Sequence, residues 1–381
     1  MSLAGTWMQT AAQQWLVYRL TGSPLSLGTV TFAATLPPLL FMPFTGTFVD
    51  RVDKRKLIVG TQAAMMLLAF GLAALTFSGR VQFWHVVIFA ALLGTANSFD
   101  MPARQAFTVE LVGKSDLLNA VALNASAFNI ARLAGPAVSG ILVGAIGEGW
   151  SFTINGASFL AVLAGLMLMT MPPRPPRAAT RSPMLDVQEG WGYLLRNRTI
   201  RLLVLSVAAP SLLGFNYVTL IPVFAGDILH IGPEGFGVML SAIGGGALLA
   251  ALLLATTGGR LRRGWLVTAG ALTFSCAQIG FGLSRQLGLS LVFLFLLGLA
   301  TVSQLASTNT LIQTHVDDRL RGRVMGIYLW VLIGMSPPGA LIMGAVAEAW
   351  GAPAAVIGAA VLGLLFALGI IWRAPEVRRL K

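Results

Sequence analysis

Twelve runs of about 20 mainly apolar residues, parted by short polar junctions, leave this chain few ways to fold. They fall at about 2–19, 25–49, 55–77, 82–103, 119–146, 151–171, 199–225, 235–257, 263–283, 287–311, 323–347 and 353–372. Each is long enough for a helix to cross a hydrocarbon layer about 30 Å thick. Backbone in lipid must bond to itself, so such runs form helices rather than open strands. The chain is 56% hydrophobic and 10% charged, whereas soluble domains carry about 25% charged residues. No soluble core absorbs that much apolar surface, and the expected class is an all-α polytopic membrane protein.

Gly and Pro recur inside the runs, at Pro37-Pro38, Gly135-Pro136, Gly244-Gly245-Gly246 and Pro337-Pro338. They would break soluble helices, but in a membrane bundle neighbours re-satisfy the freed backbone groups and glycines permit close approach. The 26 Lys and Arg residues are placed very unevenly. Of these, 22 lie in the alternate junctions after spans 2, 4, 8 and 10, in the centre of the chain, and in its tail. Only Arg19, Arg80 and Arg285 fall on the other side, and Arg132 lies within a span. The positive-inside rule then places both ends in the cytoplasm, with the protein integral to a bacterial cytoplasmic membrane. The net charge of +12 is thereby topological, and no nucleic-acid partner is expected.

Other chemistry is sparse. Cys276 is the single cysteine, and His85, His230 and His315 are scattered, so no metal site is expected. No Walker-type phosphate loop appears, and no paired catalytic constellation can be placed, so an enzyme is not expected. No cleavable signal segment is expected either. Met1 and Ser2 sit almost inside the first run, which reads as a helix lacking its opening turns.

The longest polar stretch, 172–198, carries Pro172, Pro173, Pro175, Pro176 and Pro183 among arginines. It reads as a cytoplasmic linker between a bundle at 1–171 and a second bundle with a short basic tail at 199–381. Within it, Met184 to Leu195 has the pattern of a short helix lying on the membrane face, with Trp191 and Tyr193 at headgroup level. The two halves look like weak repeats: GAIGEGW begins at Gly144 and GAVAEAW at Gly344, an offset of 200 residues. Parallel six-helix repeats place a transport site between them, near the midplane.

The junction after span 2 reads Gly46-x-x-x-Asp50-Arg51-x-x-Lys54-Arg55. It resembles the signature between helices 2 and 3 of the major facilitator superfamily, with Asp53 standing where that signature has a glycine. Gly135-Pro136-Ala137-Val138-Ser139-Gly140 resembles the core of the superfamily's antiporter motif, without its earlier glycines. The strings from Leu20 (LTGSPLSLG) and Met101 (MPARQAFTVELVGKSDLLNAVALN) are similar to the drug:proton antiporter-3 branch, which includes the enterobactin exporter and related multidrug efflux permeases. The resemblance covers essentially the whole chain. It implies two pseudo-symmetric bundles that work by alternating access.

The resemblance also implies roles. Asp50, at the cytoplasmic end of span 2, would sit near the N-terminus of helix 11, which is expected to start near Gly322, and close a cytoplasmic gate. Such a dipole or ion-pair contact is worth about 0.3–2 kcal/mol. The plain alternative is a solvated loop that only sets orientation. Arg132 is mid-span, where an arginine costs about 2.5–3.5 kcal/mol on insertion scales. It should therefore face the cavity or an acid, as a counter-charge or as a structural brace. Asp100 is the candidate proton-coupling carboxylate; its plain reading is a one-turn pair with Arg104. Glu148, Asp227 and Glu348 lie at periplasmic ends and read as surface. Gly135, Pro136 and Gly140 would either bend helix 5 to seal the cavity or serve ordinary packing. In this superfamily the first and fourth helices of each half line the cavity, where Gln9, Gln13, Asn97, Asn216, Gln304 and Asn309 are the polar candidates.

That mostly uncharged lining suits an amphipathic or bulky small molecule. The expected function is proton-coupled export of drug-like or siderophore-like compounds, with no cofactor, by a monomer whose other partners are protons and membrane lipids. One charge crossing about 100 mV yields about 2.3 kcal/mol, which sustains roughly a 50-fold gradient. A lipid or lysophospholipid flippase, or an uptake permease, is the alternative on the same fold; a membrane receptor or embedded enzyme is the remote one.

Overall fold

The computed structural model describes residues 2–113, 116–169, 183–257 and 262–373, with Glu376, Arg378 and Leu380 of the tail. Lys114, the linker arginines Arg174, Arg177 and Arg181 with their prolines at 172–176, and Arg260 lie outside the described residues.

The described chain is built of helical rods. They are α1 (Ser2–Thr21), α2 (Pro24–Arg51), α3 (Lys54–Phe77), α4 (Phe83–Val112), α5 (Leu117–Ile146) and α6 (Glu148–Leu168), then the short α7 (Pro183–Arg196). The remainder are α8 (Arg198–Ile228), α9 (Gly232–Thr257), α10 (Arg263–Leu283), α11 (Leu287–His315), α12 (Asp318–Trp350) and α13 (Ala352–Arg373). Eleven of these are long and apolar enough to cross a membrane. The remaining long rod, α1, fails on composition because of Thr6, Gln9, Thr10, Gln13, Gln14 and Arg19. It is shielded instead by its neighbours: Gly5 lies against Asn155 of α6, and Gly135 of α5 lies against Trp7. Together they give the twelve crossings read from the sequence.

Local chemistry sets the ends. Ser23 caps α2 by accepting from Ser26 N at 3.2 Å. Asp53 caps α3 by accepting from Lys56 N at 3.1 Å, satisfying one of the helix's orphan donors. The residue that departs from the superfamily signature thus starts the next helix, and only Val52 and Asp53 separate α2 from α3. Helix α4 passes through Pro102 and runs nine residues past the expected stop at 103, to Val112. Helix α6 lies three residues earlier than read, at Glu148–Leu168.

Two rods of the second half are interrupted. α8 widens into π turns at Pro210–Gly214 and Phe224–Ile228 and tightens to 3₁₀ geometry at Phe215–Leu220. α12 breaks at Met335, just before Pro337-Pro338. The described spans of the first half pass their prolines without a break.

Within the first half, α1 packs on α5 and α6, α2 on α4, and α3 on α4 and α6. Within the second, α9 and α10 pack on α11, and α10 on α13. Between the halves the main seams are α5 with α9 and α2 with α12. Helix α7 is not an outlying surface element. It lies along the start of α12, where Trp191 meets Trp330 edge-on at 6.4 Å and Gly190 backs onto Ile327. Trp191 and Tyr193 pack on the protein core of the second half rather than standing free at headgroup level.

Candidate functional site

The two seams define the site by where they close. Arg51, Lys54 and Arg55 mark one face of the bundle, the arginine-rich face; Arg19, Arg80 and Arg285 mark the opposite face. At the opposite face α5 and α9 meet backbone to backbone. A methyl at Gly140 would lie 2.7 Å from the Pro233 carbonyl oxygen and 3.0 Å from Gly237 Cα, and Gly144 is covered by the Glu234 carboxylate. Helices α2 and α12 meet in the same way: a methyl at Gly28 would lie 2.5 Å from the Ala340 carbonyl oxygen, and one at Gly344 2.8 Å from that of Pro24. Polar contacts lock the closure. Glu348 of α12 accepts from Ser23 Oγ at 2.8 Å and Leu25 N at 3.2 Å, at the first turn of α2. Tyr18 of α1 donates to Asp227 of α8 at 2.5 Å.

Toward the arginine-rich face the seams part. The α5–α9 contact reaches Leu133 and Gly244 at mid-depth, while Leu123 and Ile130 on α5 are exposed. On α2, Leu39 still touches Gly334, but Phe44 and Phe48 are exposed. Two halves joined at one face and separated at the other enclose a crevice open on the arginine-rich side.

Arg132 sits at the crevice's inner end. Its guanidinium lies 5.9 Å from the Trp7 ring centroid, and Trp7 is held edge-on by Phe128 at 5.7 Å. Its electrostatic neighbour in the second half is Tyr217, on the tightened turn of α8. Among the described residues no carboxylate lies within ion-pair distance of Arg132. Of the two settings expected for it, the cavity or an acid, the acid is not seen; its neighbour is an aromatic ring, an interaction worth about 0.5–2 kcal/mol.

The signature residues separate into two groups. Lys54 pairs with Glu110 of α4 at 2.8 Å. Arg55 donates to the Met167 carbonyl at the end of α6 at 3.1 Å, where a cation complements the helix dipole. Both therefore brace the first half internally. Asp50 and Arg51 end α2, exposed, as does Gly46 one turn earlier. Asp50 has no hydrogen-bond or ion-pair partner among the described residues. Helix α12 starts at Asp318 rather than near Gly322, and its first turn faces α7: Glu189 pairs with Arg319 at 3.1 Å and also with Arg323.

Asp100 is buried between α3 and α4, accepting from Thr61 Oγ1 at 2.8 Å and Gln62 Nε2 at 2.9 Å. Arg104 stands 3.8 Å from its other oxygen. Asp100 thus bonds α4 to α3 from a buried position, with the expected one-turn pair to Arg104 also present. Gly135 and Pro136 lie in unbroken helix; Gly135 admits Trp7, and Gly140 admits α9.

Several cavity candidates turn inward instead. Gln9 accepts from Asn155 at 2.6 Å, and Gln13 is buried. Asn216 donates to the Ser211 and Leu212 carbonyls freed by the widened turn. Gln304 donates to the Ser206 carbonyl at 3.0 Å. Asn309 accepts from Gln313, and Asn97 is half-buried on α4. Of the carboxylates expected at the surface, Glu148 is buried against Arg19 at 2.7 Å, whereas Glu348 and Asp227 are exposed as expected and also bond across the halves. Their partners lie 325 and 209 residues away in the chain, and no local pattern signals such a pairing.

A two-seam bundle of this kind is a carrier of the major facilitator fold. A bacterial homologue of the human lysosomal transporter Spinster superposes with a TM-score of 0.73 at 15% identity, over 99% of this chain and 93% of that one. A D-xylose–proton symporter superposes with a TM-score of 0.75 at 16% identity, over 98% and 95%. The chain belongs to the MFS_3 family, described as transmembrane secretion effectors, which it matches over residues 1–380. It is 26% identical to the staphyloferrin A transporter of Staphylococcus aureus over 91% of this chain and 87% of that protein. It is 25% identical to the multidrug efflux pump Tap of Mycolicibacterium fortuitum over 99% and 94%. The macrolide efflux protein A of Streptococcus pyogenes is 24% identical over 81% and 77%.

Proposed function

We propose that this protein exports a drug-like or siderophore-like small molecule across the bacterial cytoplasmic membrane, driven by the proton gradient and without a cofactor. The observation that carries the reading is the end-to-end match to a family of transmembrane secretion effectors, with a multidrug efflux pump, a macrolide efflux protein and a staphyloferrin A transporter among the relatives. The arginine-rich face is the cytoplasmic one under the positive-inside rule, so the crevice loads from the cytoplasm and both termini lie there. The working unit is a monomer of two six-helix halves, 1–171 and 199–381, joined by the linker 172–198 and bathed in membrane lipid.

In this state Glu348 and Asp227 hold the periplasmic side shut. In the opposite state Asp50 closes on the first turn of α12, with Gly46, Arg51, Lys54 and Arg55 presenting it. Arg132, backed by Trp7 and Tyr217, supplies the positive charge at the crevice's inner end and favours substrates with an anionic or electron-rich group. Asn97 and Asn309 add polar lining, while Gln9, Gln13, Asn216 and Gln304 fix the wall behind it. Asp100 with Arg104 steadies α4 rather than carrying protons.

The test is dye and siderophore efflux from cells expressing the protein, with and without an uncoupler. Efflux that the uncoupler abolishes is the expected result. Uncoupler-resistant efflux refutes proton drive, and lipid scrambling by reconstituted vesicles without efflux refutes export.

A further inference from the structure

A shallow slot, open along its outer side and spanning about 520 Å³ with that open side included, lies on the second half between α8, α10 and α13. It is separate from the crevice between the halves. Its walls are mostly apolar and small-residued, with Gly214, Ala271 and Gly363 giving the width and Ile371 at the mouth. The wide turn of α8 at Pro210–Gly214 displaces backbone there and makes the room. Ser275 and Gln278, both buried, stand at the inner end.

The slot faces the bilayer. α10 and α13 make their main contacts within the second half, and Leu283, Leu362 and Leu365 on them are exposed. Its depth is fixed by two tryptophans on either side of the mouth, Trp265 at 59% and Trp372 at 80% exposure, since tryptophan collects at the level of lipid headgroups. At that same level stand Arg198, Arg263 and Arg373. Arg198 donates to the Arg373 carbonyl at 2.6 Å and pairs with Glu376 at 3.5 Å, so the ends of α8 and α13 are clasped. Arg201 and Arg262 add to the group, and Glu376 is the one acid named among them.

We propose that this slot holds an acyl chain of an anionic phospholipid from the leaflet at the arginine-rich face, its headgroup on Arg198, Arg263 and Arg373. An apolar channel with a basic collar at headgroup height complements that chemistry at both ends. A zwitterionic lipid satisfies only the channel, and a free anion only the collar. The chain props the widened turn of α8 at Pro210–Gly214.

The experiment is native mass spectrometry of the purified protein with phosphatidylglycerol or phosphatidylcholine of equal chain length. The wild type is expected to retain one phosphatidylglycerol at least about fivefold more than phosphatidylcholine. Gly363→Leu fills the slot; its Cβ meets only Ser275 Oγ, at 3.4 Å, so the backbone tolerates it. It should lose both lipids. The combined Arg198→Gln, Arg263→Gln, Arg373→Gln variant leaves the slot lining untouched and should keep a lipid but lose the preference. Equal retention of the two lipids by the wild type, or unchanged retention by Gly363→Leu, overturns the proposal. Should Gly363→Leu not fold, survival of the preference in the arginine variant overturns it alone. A raised KM for transport in Gly363→Leu with lipid retention unchanged would make the slot a substrate portal instead, and also overturns it.

Discussion

Glu348→Ala should tip the molecule toward the state open at the opposite face. The carboxylate accepts two hydrogen bonds at the start of α2, from Ser23 Oγ at 2.8 Å and Leu25 N at 3.2 Å. In the open state these are exchanged for water. Charge-assisted bonds contribute more when buried, but Glu348 is exposed, so the appropriate scale is that of an exposed carboxylate at a helix N-terminus, about 0.3–1 kcal/mol. At the upper end the ratio of the two states shifts roughly fivefold, since about 1.4 kcal/mol is tenfold. The seam's glycine contacts remain, so the variant still folds and closes part of the time. Spin labels on Cys introduced at Ser78 and Gln286, one exposed position per half on the opposite face, report the opening by electron–electron distance, after Cys276→Ser removes the exposed native thiol. The long-distance population should grow by that factor. Ser23→Ala should shift it in the same direction, and the double variant by less than the two combined. An unchanged distance distribution in Glu348→Ala would refute the reasoning, because the contact would then be made equally well in both states.

Gly140→Val should act on the other seam and more strongly, because the atoms it meets are backbone of α9 that cannot turn aside. Overpacking of about 1–3 kcal/mol gives a population shift of roughly five- to 150-fold, read by the same labels. Asp100→Asn should lower thermal stability by about 1–3 kcal/mol, through lost or mismatched bonds to Thr61 and Gln62, while leaving proton-driven transport intact; loss of coupling at unchanged stability would restore it as the titrating group. Arg132→Gln should raise the KM for anionic substrates well above that for cationic ones, and Arg132→Lys should recover part of the loss; equal effects on both substrate classes would make the residue a brace.

The twelve crossings and their alternation were legible because length and charge placement are local properties. The junction after α2 was legible as a motif, but its wiring was not: Lys54 and Arg55 reach Glu110 and Met167, at distances along the chain that no periodicity records. The two copies of the repeat show how one residue redirects a site. In the first, Gly147 takes φ +90°, a conformation open to glycine, so the turn comes before Glu148. That carboxylate then begins α6 and is buried on Arg19 at 2.7 Å. In the second, Ala347 continues the helix and the turn waits for Gly351, at φ +86°. Glu348 is thereby held in the last turn of α12 and reaches α2. The equivalent glutamate, offset by 200 residues, is thus placed on opposite sides of a bend in the two copies. The amides Gln9 and Gln304 misled for a different reason: a polar residue on a lining helix also serves its neighbours, and helical spacing does not say which way it turns.

Helix α8 winds unevenly, wide at Pro210–Gly214, tight at Phe215–Leu220 and wide again at Phe224–Ile228, while its repeat counterpart α1 and the other described spans of the first half keep an even pitch. Uneven pitch makes a rod soft in torsion. When the seams trade places, the first half can swing as a stiff lever, but the second can also untwist along α8 and fold at Met335. A rocking stroke would then be lopsided, the two halves moving by different mechanics, with the azimuth of Tyr217 set by how tightly its own helix is wound.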